Sequence, residues 1–185
     1  MKHHGKWATA LLLFLLPLLP GAAASAETPL SFRSGVTWNS TVADMMAAEG
    51  VREYDGNFHS NVIGDRFTRY YIQDRPNGAA VAFYVYQGDE PVMMYTRLPA
   101  DTMAVPVYDL KAEECTPFFG PPIPFTVLDL HKLLDVLWPG RIAPETLSRL
   151  TAWRLEDGTL ASLFAIGGDT ILAYLNDARI TADAD

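Results

Sequence analysis

Cysteine is almost absent from this chain: Cys115 is the single one in 185 residues. A lone thiol closes no internal disulfide, so stability must come from an apolar core. The neighbouring acids Glu113 and Glu114 raise a thiol's pKa and blunt its reactivity, which speaks against a nucleophile or an intermolecular bridge. Histidine is scarce as well, with only His59 and His131 beyond the first four residues. Metal sites need three or four converging ligands, and neither HExxH nor CxxC occurs. No Gly-x-Ser-x-Gly places a serine nucleophile, no DxDxDG loop offers a calcium cradle, and the glycine turns lack phosphate-binding spacing. His131 and Asp135, at helical i, i+4 spacing, read as a surface pair, and His59-Ser60 with Asp65 reads as a polar loop. Asp55, Glu156, Asp157 and Asp169 read as turn residues. The expectation is therefore no catalytic residue, no metal and no cofactor.

Positive charge is also in deficit, with 14 Lys and Arg against 22 Asp and Glu and a formal charge of −8. Such a surface repels phosphate backbones and anionic lipid, which disfavours nucleic acid and membrane surfaces as partners. The basic residues Lys2 and Lys6 sit at the very start, beside His3 and His4, ahead of a mostly apolar, Leu-rich run from Trp7 to Leu19. Pro20 and Gly21 break that run, and Ala24-Ser25-Ala26 supplies the small residues that a signal peptidase accepts before Glu27. A spanning helix needs about 20 apolar residues, whereas this run is far shorter and holds Pro17. Residues 1–26 thus read as a signal peptide cleaved after Ala26. No cysteine follows the run to take a lipid, so no stable membrane anchor is expected in the mature form. Cleavage removes two lysines and no acid, taking the formal charge from −8 to −10. The protein is expected to be secreted or periplasmic.

What is present is a pattern of helices and short strands. Thr41-Val42-Ala43-Asp44 and Thr126-Val127-Leu128-Asp129 each place a capping threonine three residues before an aspartate that reaches back to it. The first helix is expected to stop at Gly50, a left-handed terminator, and the second at Pro139-Gly140. In the second, Val127, Leu130, Leu133, Leu134 and Leu137 form one stripe, opposite Asp129, Lys132 and Asp135. Runs rich in Val, Tyr, Phe and Ile follow each helix: 67–73, 79–86 and 92–98 after the first, then 150–155, 159–166 and 170–175 after the second. Asn77-Gly78, Gly88-Asp89, Asp157-Gly158 and Gly167-Gly168 punctuate them as hairpin turns. Thr41 and Thr126 stand 85 positions apart, which is the period of the repeat.

The expected architecture is α+β, with two units in tandem, each a helix plus a three-stranded antiparallel sheet. The first covers 27–100 and the second 125–180, with a polar, acidic tail at 181–185. A proline-rich connector at 101–124 ends in Phe118-Phe119-Gly120-Pro121-Pro122-Ile123-Pro124, whose three prolines favour an extended, stiff chain. Alternation along the strands puts Val81, Phe83 and Val85 on an aliphatic, helix-facing side. Tyr84, Tyr86, Tyr95 and Arg97, with Tyr70 from the strand before, are expected on the opposite side. Tyr and Arg bury area while keeping a polar handle, so that side is the candidate partner-binding face.

Phe32-Arg33-Ser34-Gly35-Val36-Thr37-Trp38 leads into a capped helix ending Ala48-Glu49-Gly50. The second half runs a helix into Leu137-Trp138-Pro139-Gly140 ahead of Trp153-Arg154-Leu155-Glu156-Asp157-Gly158-Thr159, and the stretch from Ile171 to Tyr174 closes it. In outline this resembles the tandem helix-plus-antiparallel-sheet repeats of the β-lactamase-inhibitor-protein-like and outer-membrane-assembly-lipoprotein (BamE-like) superfamily, small exported bacterial proteins. The lipidation cysteine of the lipoprotein branch and the disulfides of some inhibitor members are missing. The resemblance implies a non-enzymatic module that presents a sheet face to another exported protein. The alternative is a small-ligand-binding or hydrolytic domain with a pocket between the two units.

Overall fold

The computed structural model describes residues 32–73, 80–98 and 107–181; the signal-peptide reading of 1–26, the turn at 74–78, the start of the 101–124 connector and the end of the tail lie outside them. The protein is α+β, but its strands form one sheet rather than two. Four strands, β1 (Phe58–Ile63), β2 (Phe67–Gln73), β3 (Ala80–Gln87) and β4 (Glu90–Leu98), make an antiparallel meander. Three more, β5 (Leu147–Arg154), β6 (Leu160–Ile166) and β7 (Asp169–Leu175), make a second. The last strands of the two meanders pair with each other, from Met93 opposite Leu175 to Leu98 opposite Thr170, giving the order β1-β2-β3-β4-β7-β6-β5. Two separate three-stranded sheets would each leave a last strand as an open edge, and pairing β4 with β7 removes both edges. β1 is a strand that the sequence pattern does not announce, since its polar centre, Ser60-Asn61, interrupts the alternation.

Both threonine caps form as their spacing implies. In α1 (Val42–Glu49) Asp44 N–H donates to Thr41 Oγ1 at 3.2 Å while Thr41 N–H donates to Asp44 Oδ2 at 2.9 Å. Gly50 ends the helix at φ 65°. In α3 (Val127–Leu137) the same reciprocal bonds join Asp129 and Thr126 at 3.2 and 3.0 Å. Each cap holds its carboxyl below the ordinary aspartate value, in Asp44 mainly through the Thr41 backbone and in Asp129 mainly through the Thr126 hydroxyl. The proposed extended connector is largely a helix, α2 (Val107–Phe119), with Pro117 near its end and Gly120 closing it through a 2.9 Å bond to the Thr116 carbonyl. A short α4 (Asp177–Thr181) follows β7.

The three longer helices roof the two sides of the sheet. α1 and α2 lie on one side: Met45 packs with Tyr84, Tyr86 and Met94, and Tyr108 and Cys115 pack with Trp153, Ala161 and Leu163. α3 lies on the other, where Leu130, Leu134 and Leu137 cover Met93, Ala152, Leu160, Phe164, Ala173 and Leu175.

Candidate functional site

Tyr84 and Tyr86 are not on an open face: both are fully buried under α1. The Tyr84 hydroxyl donates to Glu49 Oε1 at 2.5 Å, and Arg33 Nε reaches the same oxygen at 3.1 Å. Burial, followed by that bond to a carboxylate, pushes the Tyr84 phenol well above its usual value; burial and the charges of Asp44 and Asp89 do the same for Tyr86. Tyr70 is half-buried on the same side, stacked on Phe58 at 5.8 Å and edge-on to Tyr86 at 5.7 Å. Tyr95 and Arg97 belong to the opposite side. Tyr95 faces Phe83 across the hairpin, and Arg97 pairs with Asp169 at 2.8 Å near the strand end. The proposed tyrosine face therefore divides into a core cluster and two residues of the other surface.

A one-residue bulge causes the division. Gln87 pairs with Glu90 and Tyr86 with Pro91, but Val85 pairs with Met93, so Val92 is the extra residue. Unbroken pairing from the turn would set Tyr84 beside Met93, on the side of Tyr95, which is the arrangement expected from alternation. One added residue moves every later β4 side chain to the other side relative to β3.

The correct register exposes a row that alternation within single strands does not reveal. His59, Tyr71, Phe83 and Tyr95 stand directly opposite one another across β1 to β4. Their ring centroids are 5.0, 6.1 and 4.3 Å apart, with interplanar angles of 27°, 28° and 3°. These separations track the strand spacing, so the rings stand side by side and turn their edges outward. Trp138, at the end of α3, meets Tyr95 edge-on at 6.2 Å. The row continues as Ala173, Ser162 and Ala152, and there the small side chains let α3 sit down on the sheet. His59, Tyr71 and Phe83 belong to none of the three buried clusters that the helices roof. Three of the large rings stand outside the helix-roofed clusters, Tyr95 stands at the border beside the end of α3, and small residues lie beneath the helix.

Polar groups dress the row. His59 Nε2 shares a 3.0 Å hydrogen bond with Gln73 Oε1. The Arg69 guanidinium lies 5.6 and 5.9 Å from the Tyr71 and Phe83 ring centres, within cation–π range, and its Nε donates to Asn61 Oδ1 at 2.9 Å. Burial raises the Tyr95 phenol, opposed by the charge and hydrogen bond of Arg69. Beside Tyr95 a hollow of about 180 Å³ opens between the end of α3 and the sheet, lined chiefly by Met93, Tyr95, Leu134, Phe164, Ile166 and Ile171. It shares Arg69, Trp138 and Arg141 with a wider one of about 500 Å³ that runs along Asn61, Val62, Ile63 and Gly64 at the edge of β1.

No protein-family model, curated protein or solved structure matches this chain.

The remaining candidates stay apart. His131 Nε2 bonds the Ile142 carbonyl at 2.9 Å while Asp135 accepts from Gly140 N–H at 2.8 Å, so the two do not pair. His59 and Ser60 project to opposite sides of β1, as successive strand residues do. Asp55 and Asp157 accept turn N–H groups from Arg52 and Thr159. Among the described residues no three His, Cys, Asp or Glu side chains gather as a metal site would require. Cys115 is buried, and burial rather than the neighbouring acids is the main cause of its raised pKa, with Lys111 opposing and Glu114 adding. No described helix is long and apolar enough to cross a membrane.

Proposed function

We propose that this is an exported binding module that engages another exported protein through the His59-Tyr71-Phe83-Tyr95 row, without catalysis. One observation carries the reading: a row of four stacked rings, three of which (His59, Tyr71 and Phe83) belong to no helix-roofed cluster, with Arg69 lying over two of those three. Aromatic and arginine side chains dominate the binding energy of protein interfaces because they bury large areas and keep a polar edge. Within the row Phe83 is buried, while His59, Tyr71 and Tyr95 are half-buried and keep an edge open to a partner. The resemblance to the helix-plus-sheet repeat superfamily supplies the binding role, and the leader-like residues 1–26 supply export; neither supplies a partner. This row replaces the tyrosine face expected from the sequence and keeps only Tyr95 of it, at the end nearest α3.

Substitution at the open row separates binding from folding. Tyr71→Ala removes a half-buried ring that pairs with two neighbours, a loss that should cost the fold about 1–2 kcal/mol. At a binding hot spot the same change weakens association by roughly tenfold or more. A photo-reactive residue in place of Tyr71 should crosslink one envelope or extracellular protein that the same group at Ala47, exposed on the α1 side, does not. Equal labelling from both positions, or none from Tyr71, would overturn the reading.

A further inference from the structure

We propose that the cleft beside the aromatic row receives the C-terminal residue of a partner chain, its apolar side chain in the smaller hollow and its carboxylate between Arg69 and Arg141. The inference rests on the reading of the open face as the binding side and adds the chemistry of what is bound there. Three features meet at this place. The smaller hollow, about 180 Å³, is lined by aliphatic and aromatic side chains. Arg69 and Arg141 complete its lining, and a hollow of that size holds one benzene-sized group. A phenylalanine or leucine side chain fits it.

Charge is the second feature. The chain as a whole carries a formal charge of −8, yet both hollows share two arginines and neither is lined by an acid. No ion pair engages Arg69 or Arg141 among the described residues; Arg69 bonds the neutral side chains of Asn61 and Tyr95, and Arg141 is exposed. The nearest carboxylate on the α3 turn, Asp135, is held by the Gly140 N–H. Two arginines without a counter-charge, at the mouth of an apolar hollow, suit a carboxylate attached to an apolar group.

The third feature selects a chain end over a free acid. The wider hollow, about 500 Å³, leaves room beyond the apolar group and its carboxylate, and it runs along β1 from Asn61 to Gly64. β1 is an edge of the sheet, so its outer N–H and C=O groups are available to an extended peptide. The residues preceding a C-terminal Phe or Leu would lie there.

The test uses acetyl-Ala-Ala-Phe with a free carboxylate, the same peptide as its C-terminal amide, and 3-phenylpropionate. Binding is followed by the Trp138 indole N–H signal and by titration calorimetry of the full mature chain. The acid peptide is expected to bind about tenfold or more tightly than the amide, and less tightly as salt rises. Arg141→Gln, an exposed position that leaves the fold intact, should erase the difference between acid and amide. Equal affinity for acid and amide, or no response to any probe at about 5 mM, overturns the proposal. Binding of 3-phenylpropionate as tight as that of the peptide overturns the chain-end assignment and points to a free acid instead. Crosslinking from position 71 is independent of these outcomes: a partner trapped there that ignores the C-terminal probes keeps the open row as the binding face and removes the cleft.

Discussion

The Tyr84 and Tyr86 hydroxyls are the most consequential single groups in the core, because their environment resists ionisation. Burial raises both, and for Tyr84 the hydrogen bond to Glu49 adds to it. In the unfolded chain these phenols titrate near pH 10, so above that value the unfolded state loses protons that the folded state keeps. Stability is then fully present below pH 10 and falls as pH rises toward the folded values. Each phenol contributes a slope of about 1.4 kcal/mol per pH unit in that window. Urea titrations between pH 9.5 and 11.5 should show this loss, and Tyr84→Phe should flatten it by one such increment. A slope unchanged by Tyr84→Phe would mean that this hydroxyl is not held protonated by the fold. The same residues mark where the sequence was hard to read. Tyr84, Tyr86, Tyr95 and Arg97 have the composition of an interface, and nothing within either strand says that Val92 is an extra residue. Composition reveals that rings are present. Only the register decides which of them meet water.

At the scale of elements, local chemistry was more telling. The two capping boxes depend on contacts spanning only three residues, so they are written in the sequence and form as written. α2 escaped notice because its apolar positions are few and prolines follow it, and β1 because an edge strand tolerates polar residues at its centre. Burial of Leu130, Leu134 and Leu137 gives α3 its hold on the sheet, and the cap sets where it begins. Thr126→Ala removes the acceptor for Asp129 N–H and should cost about 1 kcal/mol, read as a lower urea midpoint at unchanged slope. A second signature comes from acid. Asp129 is held below its ordinary value, so the carboxylate's share of the cap is present above about pH 4 and is lost as pH falls through the lowered value. The Thr126→Ala difference should therefore shrink between pH 5 and pH 2. A penalty that stays constant down to pH 2 would place the loss in the Asp129 N–H bond and packing rather than in the carboxylate's half of the cap.

For the whole molecule the decisive feature is the seam between β4 and β7. Met93 and Met94, neighbours on β4, are both fully buried but on opposite sides: Met93 lies under α3 and Met94 in the cluster under α1. The first meander thus supplies part of the core that the second half's helix covers. Other ties cross the same seam. Trp38 Nε1 donates to Thr159 Oγ1 at 2.7 Å, Arg179 Nη1 donates to the carbonyls of Trp38 and Pro91 at 3.0 and 3.2 Å, and Asn176 N–H donates to the Val92 carbonyl at 3.0 Å. Units that were tandem and independent would melt separately, whereas a shared core requires both halves to form together. Urea unfolding followed by tryptophan fluorescence and by far-ultraviolet circular dichroism should give one superimposable transition. Trp38 and Trp153 report from different halves, so a single-tryptophan variant of each should share that midpoint. A chain cut within 99–106 should yield two fragments that are unfolded apart and regain strand signal on mixing, because each alone would leave one sheet edge and half of a core in water. Two resolved transitions in the intact chain, or a folded first fragment, would show that the seam joins two finished domains instead of completing one.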